Sequence, residues 1–81
     1  MSTRQNRYLA RERGSSVDLH CRGRTIEEAA EHVARRLHGQ RAVARRTTGE
    51  PGLSGYFRAY VYDRRLNGLN SVGRPYHMRE A

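Results

Sequence analysis

The stretch 54-SGYFRAYVYDRR-65 decides how the rest of the chain is read. Its apolar residues recur at every second position, the signature of a strand with one face buried. Phe57, Ala59 and Val61 then share one face, and Tyr56, Arg58, Tyr60 and Tyr62 share the other. The first set is small, apolar and suited to a core. The second gathers three tyrosines about an arginine, with Arg64 and Arg65 following. Such a strand needs a covering layer on its Phe57 side only.

The helix that supplies this layer is written in 25-TIEEAAEHVARRLHG-39. Ile26, Ala29, Ala30, Val33, Ala34 and Leu37 fall at offsets 0, 3, 4, 7, 8 and 11, which places them on one helical stripe. Thr25 followed by Glu28 has the spacing of a capping box, and Gly39 stands where a helix stop is expected. Acidic residues lie early and basic ones late, as the helix dipole favours, and Glu31 to Arg35 is a favourable i,i+4 pair. The alanines let the helix lie close to a sheet.

Outward from these two elements, a short strand is expected around Tyr8 and Leu9, inside a basic N-terminal arm of about residues 1–13. "GSS" breaks it, and 16-SVDLHCRG-23 alternates as a half-buried strand, with Asp18, His20 and Arg22 facing away from Val17, Leu19 and Cys21; it is expected to form a hairpin with the first strand. "RAVARRT" is a further strand, joined through the turn "TGEPGLSG" to the Tyr56 strand as a hairpin. "RRLNGLNSVGRP" reads as a loop, and "PYHMREA" as at most a short edge strand, because proline is tolerated at a strand start. The expected fold is α+β, a single small domain with an antiparallel sheet of about four strands and one helix on one face, in ββαββ order. An exposed sheet edge admits either a monomer or a homodimer formed by strand addition.

Composition narrows the partners. Of 81 residues, 16 are basic and 8 acidic, a formal charge of +8 with a pI near 11.0, and every basic residue is Arg. Guanidinium groups stack on rings and grip carboxylates or phosphates through two bonds at once, so a polyanion or an acidic protein surface is the expected partner. The lone Cys21 excludes an intrachain disulfide and a thiolate zinc cluster. No apolar run approaches a membrane span or a signal sequence, so the expected setting is cytoplasmic, with no membrane partner.

Among chemistries, metal binding has no support: His20, His32, His38, His77 and Cys21 show no ligand spacing, and no cofactor motif is present. An RNA-cleaving site would call on Arg58, Tyr60 and His77 for a cation and an acid/base pair, without any spacing that gathers them. A contact surface asks for less. Tyr and Arg stack bases and neutralise phosphates, and they are also the side chains most enriched at protein interfaces. The candidate partner-binding residues are therefore Tyr56, Arg58, Tyr60, Tyr62, Arg64 and Arg65, with Arg45 and Arg46 on the neighbouring strand; no catalytic, cofactor or metal residues are assigned.

Three segments carry a resemblance. The Ala-rich helix with Ile26, Ala29, Ala30, Ala34 and Gly39 is followed by Thr48, Gly49, Glu50, Ser54, Gly55, Phe57, Ala59 and Tyr60, then by Val72, Gly73, Pro75 and His77. In order over about residues 24–80, and in spacing up to Tyr60, this resembles small phage-encoded anti-CRISPR proteins acting on type I-E systems. The resemblance implies a non-enzymatic inhibitor in the bacterial host cytoplasm. Such a protein binds a subunit of the crRNA-guided surveillance complex and blocks either target DNA binding or recruitment of the effector nuclease. This chain is more basic than the proteins it resembles, and its charge excludes mimicry of DNA. A shorter passage, "CRGRTIEEAAEHVARRL", is similar to the strand–helix segment of small antitoxins with a partial ribonuclease-H fold. The alternative it represents is an RNA-binding module or a ribonuclease toxin/antitoxin-type protein.

Overall fold

The computed structural model describes residues 4–81. One helix packs on a five-stranded antiparallel sheet. The strands are β1 (Asn6–Glu12), β2 (Leu19–Gly23), β3 (Val43–Arg46), β4 (Gly55–Asp63) and β5 (Gly68–Glu80), and the helix α1 (Ile26–His38) lies between β2 and β3 in the chain. In space the strand order is β2-β1-β5-β4-β3. Both expected hairpins form, β1 with β2 and β3 with β4. The basic arm is no appendage over its strand portion: Asn6–Glu12 is an inner strand between β2 and β5, and the arm's first three residues lie outside the described ones.

The fifth strand is the departure from the expected ββαββ sheet. Residues 68–80, expected as loop and short edge strand, form one 13-residue strand at the sheet centre, paired to β1 and β4. The breakers that suggested a loop are absorbed locally. Asn67 takes a positive φ of 49° in the turn Arg64–Asn67, as a tight hairpin requires. Gly73, Arg74 and Pro75 form a bulge: Phe57 pairs with Tyr76 and Ala59 with Val72, so these three residues stand against Arg58 alone. Pro75 gives the ladder no donor; its carbonyl accepts the Arg13 amide at 2.9 Å, and the Arg74 guanidinium reaches the Arg13 carbonyl at 3.5 Å. Gly73, at φ 69°, is covered by the His38 ring so closely that a Cβ would lie 2.7 Å from it.

The helix crosses from one sheet edge to the other. Four inter-strand gaps make about 19 Å, and 13 residues of helix make about 20 Å. The Thr25 hydroxyl accepts the Glu28 amide at 3.1 Å, while the Glu28 carboxylate accepts from the Arg24 amide, one residue before the expected position. Gly39 ends the helix at φ 101°, its amide donating to the Arg35 carbonyl. Ile26, Ala29, Ala30, Val33 and Ala34 are buried against Tyr8, Ala10, Phe57, Ala59, Tyr76 and Met78. Leu37, at the helix end, is left exposed. The Tyr76 ring stacks beside Phe57, and its hydroxyl donates to the Ala30 carbonyl at 2.7 Å.

Burial pushes the Tyr76 phenol well above its ordinary range, and pushes the half-buried Cys21 thiol up in the same sense. Raised acids stabilise the fold below their unfolded pKa and lose that contribution as pH rises past it. Chemical denaturation is therefore expected to show stability falling from about pH 9 and more steeply above about pH 10. No lysine is present to confound this range. Tyr76→Phe lowers stability by about 1 kcal/mol near neutrality through loss of the Ala30 hydrogen bond. It also leaves only the shallow thiol part of the alkaline decline.

Candidate functional site: an uncovered arginine and tyrosine face

Alternation along each strand sends side chains either toward α1 or away from it. Toward the helix go Tyr8, Ala10, Leu19, Cys21, Ala44, Phe57, Ala59, Val61, Val72, Tyr76 and Met78. The pairing registers put Arg7, Leu9 and Arg11 of β1, His20 and Arg22 of β2, Val43 and Arg45 of β3, Tyr56, Arg58, Tyr60 and Tyr62 of β4, and Leu69, Ser71, His77 and Arg79 of β5 on the opposite side. No element of the described chain covers that side. The expected separation of Phe57, Ala59 and Val61 from Tyr56, Arg58, Tyr60 and Tyr62 is what the strand adopts.

The open face is strongly basic. Six arginines lie on the open face: Arg7, Arg11, Arg22, Arg45, Arg58 and Arg79. Of the described acidic residues only Asp18 reaches it, and Arg11 and Arg79 already hold that carboxylate at 2.8 and 3.3 Å. The hydrogen bonds from Arg11 lower the Asp18 pKa, helped by the positive charge of Arg79, so Asp18 stays ionised. Glu27, Glu28 and Glu31 are on the helix, in the other layer.

Aromatic rings stand among these charges. Tyr56 and His77 sit opposite one another on β4 and β5 with ring centroids 5.0 Å apart, edge to face. The guanidinium of Arg45 lies 5.7 Å from the centre of the Tyr60 ring. Tyr62, 53% exposed, continues the row, and its hydroxyl meets the Asn67 side chain at 2.7 Å across the hairpin end. Arg58 faces the bulge and donates to the Gly73 carbonyl at 3.3 Å.

The expected site residues thus divide into three groups. Tyr56, Arg58, Tyr60, Tyr62 and Arg45 share the open face. Arg64 and Arg65 lie beyond it, exposed in the turn at the tip of the β4–β5 ribbon, which runs past the last pairings of β3 and β1. Arg46 is on the covered side: its guanidinium lies 4.6 Å from the Phe57 ring centre, pairs with Glu27 at 2.5 Å and donates to the Leu53 carbonyl. Glu27 also accepts the Gly52 amide. Burial would raise the Glu27 pKa, but the Gly52 amide and Arg46 together hold its carboxyl below the usual range. These two residues lock the β3–β4 turn to the helix.

Arg58, Tyr60 and His77 are not gathered as a catalytic trio. The aromatic neighbour of His77 is Tyr56, and Tyr60 lies across from Ser71 on the far side of the bulge. Sequence reading left Arg7, Arg11, Arg22, Arg79 and His77 out of the contact surface. The signal for Arg7, Arg11 and Arg22 was present in the alternation of "NRYLARE" and "DLHCRG"; that for Arg79 and His77 required recognising β5.

Among the described residues no three His, Cys, Asp or Glu side chains stand together as a metal site, and no helix is long and apolar enough to cross a membrane. No family model matches the chain, and no curated protein matches it. Of the residues that carry the resemblance, Phe57 and Ala59 build the core and Gly73 and Pro75 the bulge, while Tyr60 and His77 lie on the open face.

Adjacent Arg45 and Arg46 are expected to behave oppositely on truncation. Arg46→Ala loses the Glu27 pair and the Phe57 contact, so it lowers stability by about 1.5–3 kcal/mol. Arg45→Ala changes it by no more than about 0.5 kcal/mol. Thermal denaturation of the two variants compares them directly.

Proposed function

We propose that the protein is a non-enzymatic inhibitor that works by occupying a surface of a type I CRISPR surveillance complex, with I-E the subtype its resemblance implies. The observation that carries this reading is the open sheet face: six arginines and three tyrosines against one neutralised carboxylate, on the side the helix leaves bare. A binding protein needs such a surface and no catalytic geometry. A guide-RNA-containing complex presents phosphate and acidic patches, for which planar, fixed-charge guanidinium groups are well matched. Occupancy there denies the complex its target DNA or its effector nuclease. Tyr56, Arg58, Tyr60, Tyr62 and Arg45 make the contact from the face, and Arg64 and Arg65 extend it from the ribbon tip.

Size-exclusion chromatography with an assembled type I-E complex tests the reading. The protein is expected to co-elute at low salt and at several-fold higher salt. The double variant Arg45→Ala, Tyr60→Ala should elute separately at high salt while melting within a few degrees of the parent. A folded protein that never co-elutes overturns the proposal. Growth arrest or RNA cleavage in cells lacking any CRISPR system would instead support the RNA-directed alternative.

A further inference from the structure

Two like-charge pairs stand out on the open face. Arg7 on β1 lies directly opposite Arg22 on β2, and Arg45 on β3 lies directly opposite Arg58 on β4. Like charges at directly opposed positions destabilise a sheet. Among the described residues no carboxylate lies within ion-pair distance of any of the four. One pair stands at each side of the sheet, three strand spacings apart and offset by about six residues along the strands. By strand geometry they are about 25 Å from each other. The diagonal between them passes beside Arg79 and His77 and over Tyr56, with Tyr60 just beyond Arg58.

We infer that this diagonal is a binding track for single-stranded nucleic acid, the two arginine pairs each clamping phosphate and the Tyr56–His77 pair and Tyr60 stacking bases. The inference specifies what the open face of the proposed inhibitor touches, and to that extent rests on that reading. Phosphate between two guanidinium groups turns a repulsion into charge-assisted hydrogen bonds. An acidic peptide would satisfy the arginines equally well, but it offers nothing planar for the rings set between them. A duplex satisfies the arginines and keeps its bases stacked on one another, out of reach of tyrosines on a broad sheet. Single strands meet both demands, because their bases are free to stack on aromatic side chains.

The chain has no tryptophan, so tyrosine fluorescence reports the site, above a background from buried Tyr8 and Tyr76 and from Tyr62 beyond the track. The full protein is titrated with an unstructured single-stranded RNA of about twelve nucleotides, with the DNA strand of the same sequence, with that DNA as a duplex, and with polyglutamate. Tyrosine quenching and tighter binding with either single strand than with duplex or polyglutamate are expected; whichever strand binds tighter names the natural source. If the four arginines engage phosphate, raising salt from 50 to 200 mM weakens single-strand binding about 50-fold.

Tyr56→Ala and Tyr60→Ala should each cost about five-fold or more in affinity. Arg22→Ala and Arg45→Ala should weaken binding with Tm unchanged or raised, because each removes one member of an opposed pair. The control Arg35→Ala, Arg41→Ala, which removes two charges away from the face, should bind within two-fold of the parent. Equal affinity for duplex and single strand, polyglutamate binding as tightly, or indifference to the tyrosine changes overturns the inference. The two readings separate cleanly. Oligonucleotide binding without co-elution removes the inhibitor role alone, and co-elution without oligonucleotide binding removes the track alone.

Discussion

Everything in this molecule depends on one crossover. The chain must pass from β2 at one sheet edge to β3 at the other, and its single helix makes the passage in a length close to the width of the sheet. A helix so placed covers one face, and no other element of the described residues covers the second. The buried residues follow from it: five small or branched helix residues meet Phe57, Tyr76 and Met78 across one interface. In so small a domain this interface supplies most of the apolar burial available. The alanines at its centre matter as much as the large residues, because they set how closely helix and sheet approach.

Charge is sorted by the same constraint. Side-chain parity along five strands places six guanidinium groups outward, while three glutamates ride on the helix in the other layer. The consecutive pair Arg45 and Arg46 shows how fine the sorting is: one step along the strand separates an exposed cation beside Tyr60 from a cation tied under the turn by Glu27. On the open side Arg7 opposes Arg22 and Arg45 opposes Arg58, and among the described residues no carboxylate is within ion-pair distance of these four. An anion seated between the members of each pair, as inferred above, would offset the repulsion.

The legible parts of the sequence were those with a strong period. The helix and the division of β4 into a core side and a Tyr/Arg side followed from spacing alone. Both hairpins followed from the turn residues between alternating runs. β5 was hidden because Gly68, Gly73 and Pro75 are breakers when read locally, and only pairing with β4 reveals that a turn and a bulge accommodate them. Arg46 was grouped with Arg45 because neither its partner Glu27, nineteen residues earlier in the chain, nor the parity of β3 is visible without knowing which residue of "VARR" faces Ala59. The open face was therefore seen as a fragment on two neighbouring strands rather than as a surface of five.

The central place of β5 also governs how the molecule is born. Its two hairpins, β1–β2 and β3–β4, are each local in sequence and come together only through β5, which pairs Glu80 with Tyr8 across nearly the whole chain. Such distant pairings are slow to form, since the intervening chain must be ordered before they return any stabilisation. During synthesis, two hairpins and a helix precede the strand that joins them. Until residues 68–80 have left the ribosome there is no continuous sheet, and the arginines and tyrosines have no common plane. The open face exists as one surface only once the last strand has paired.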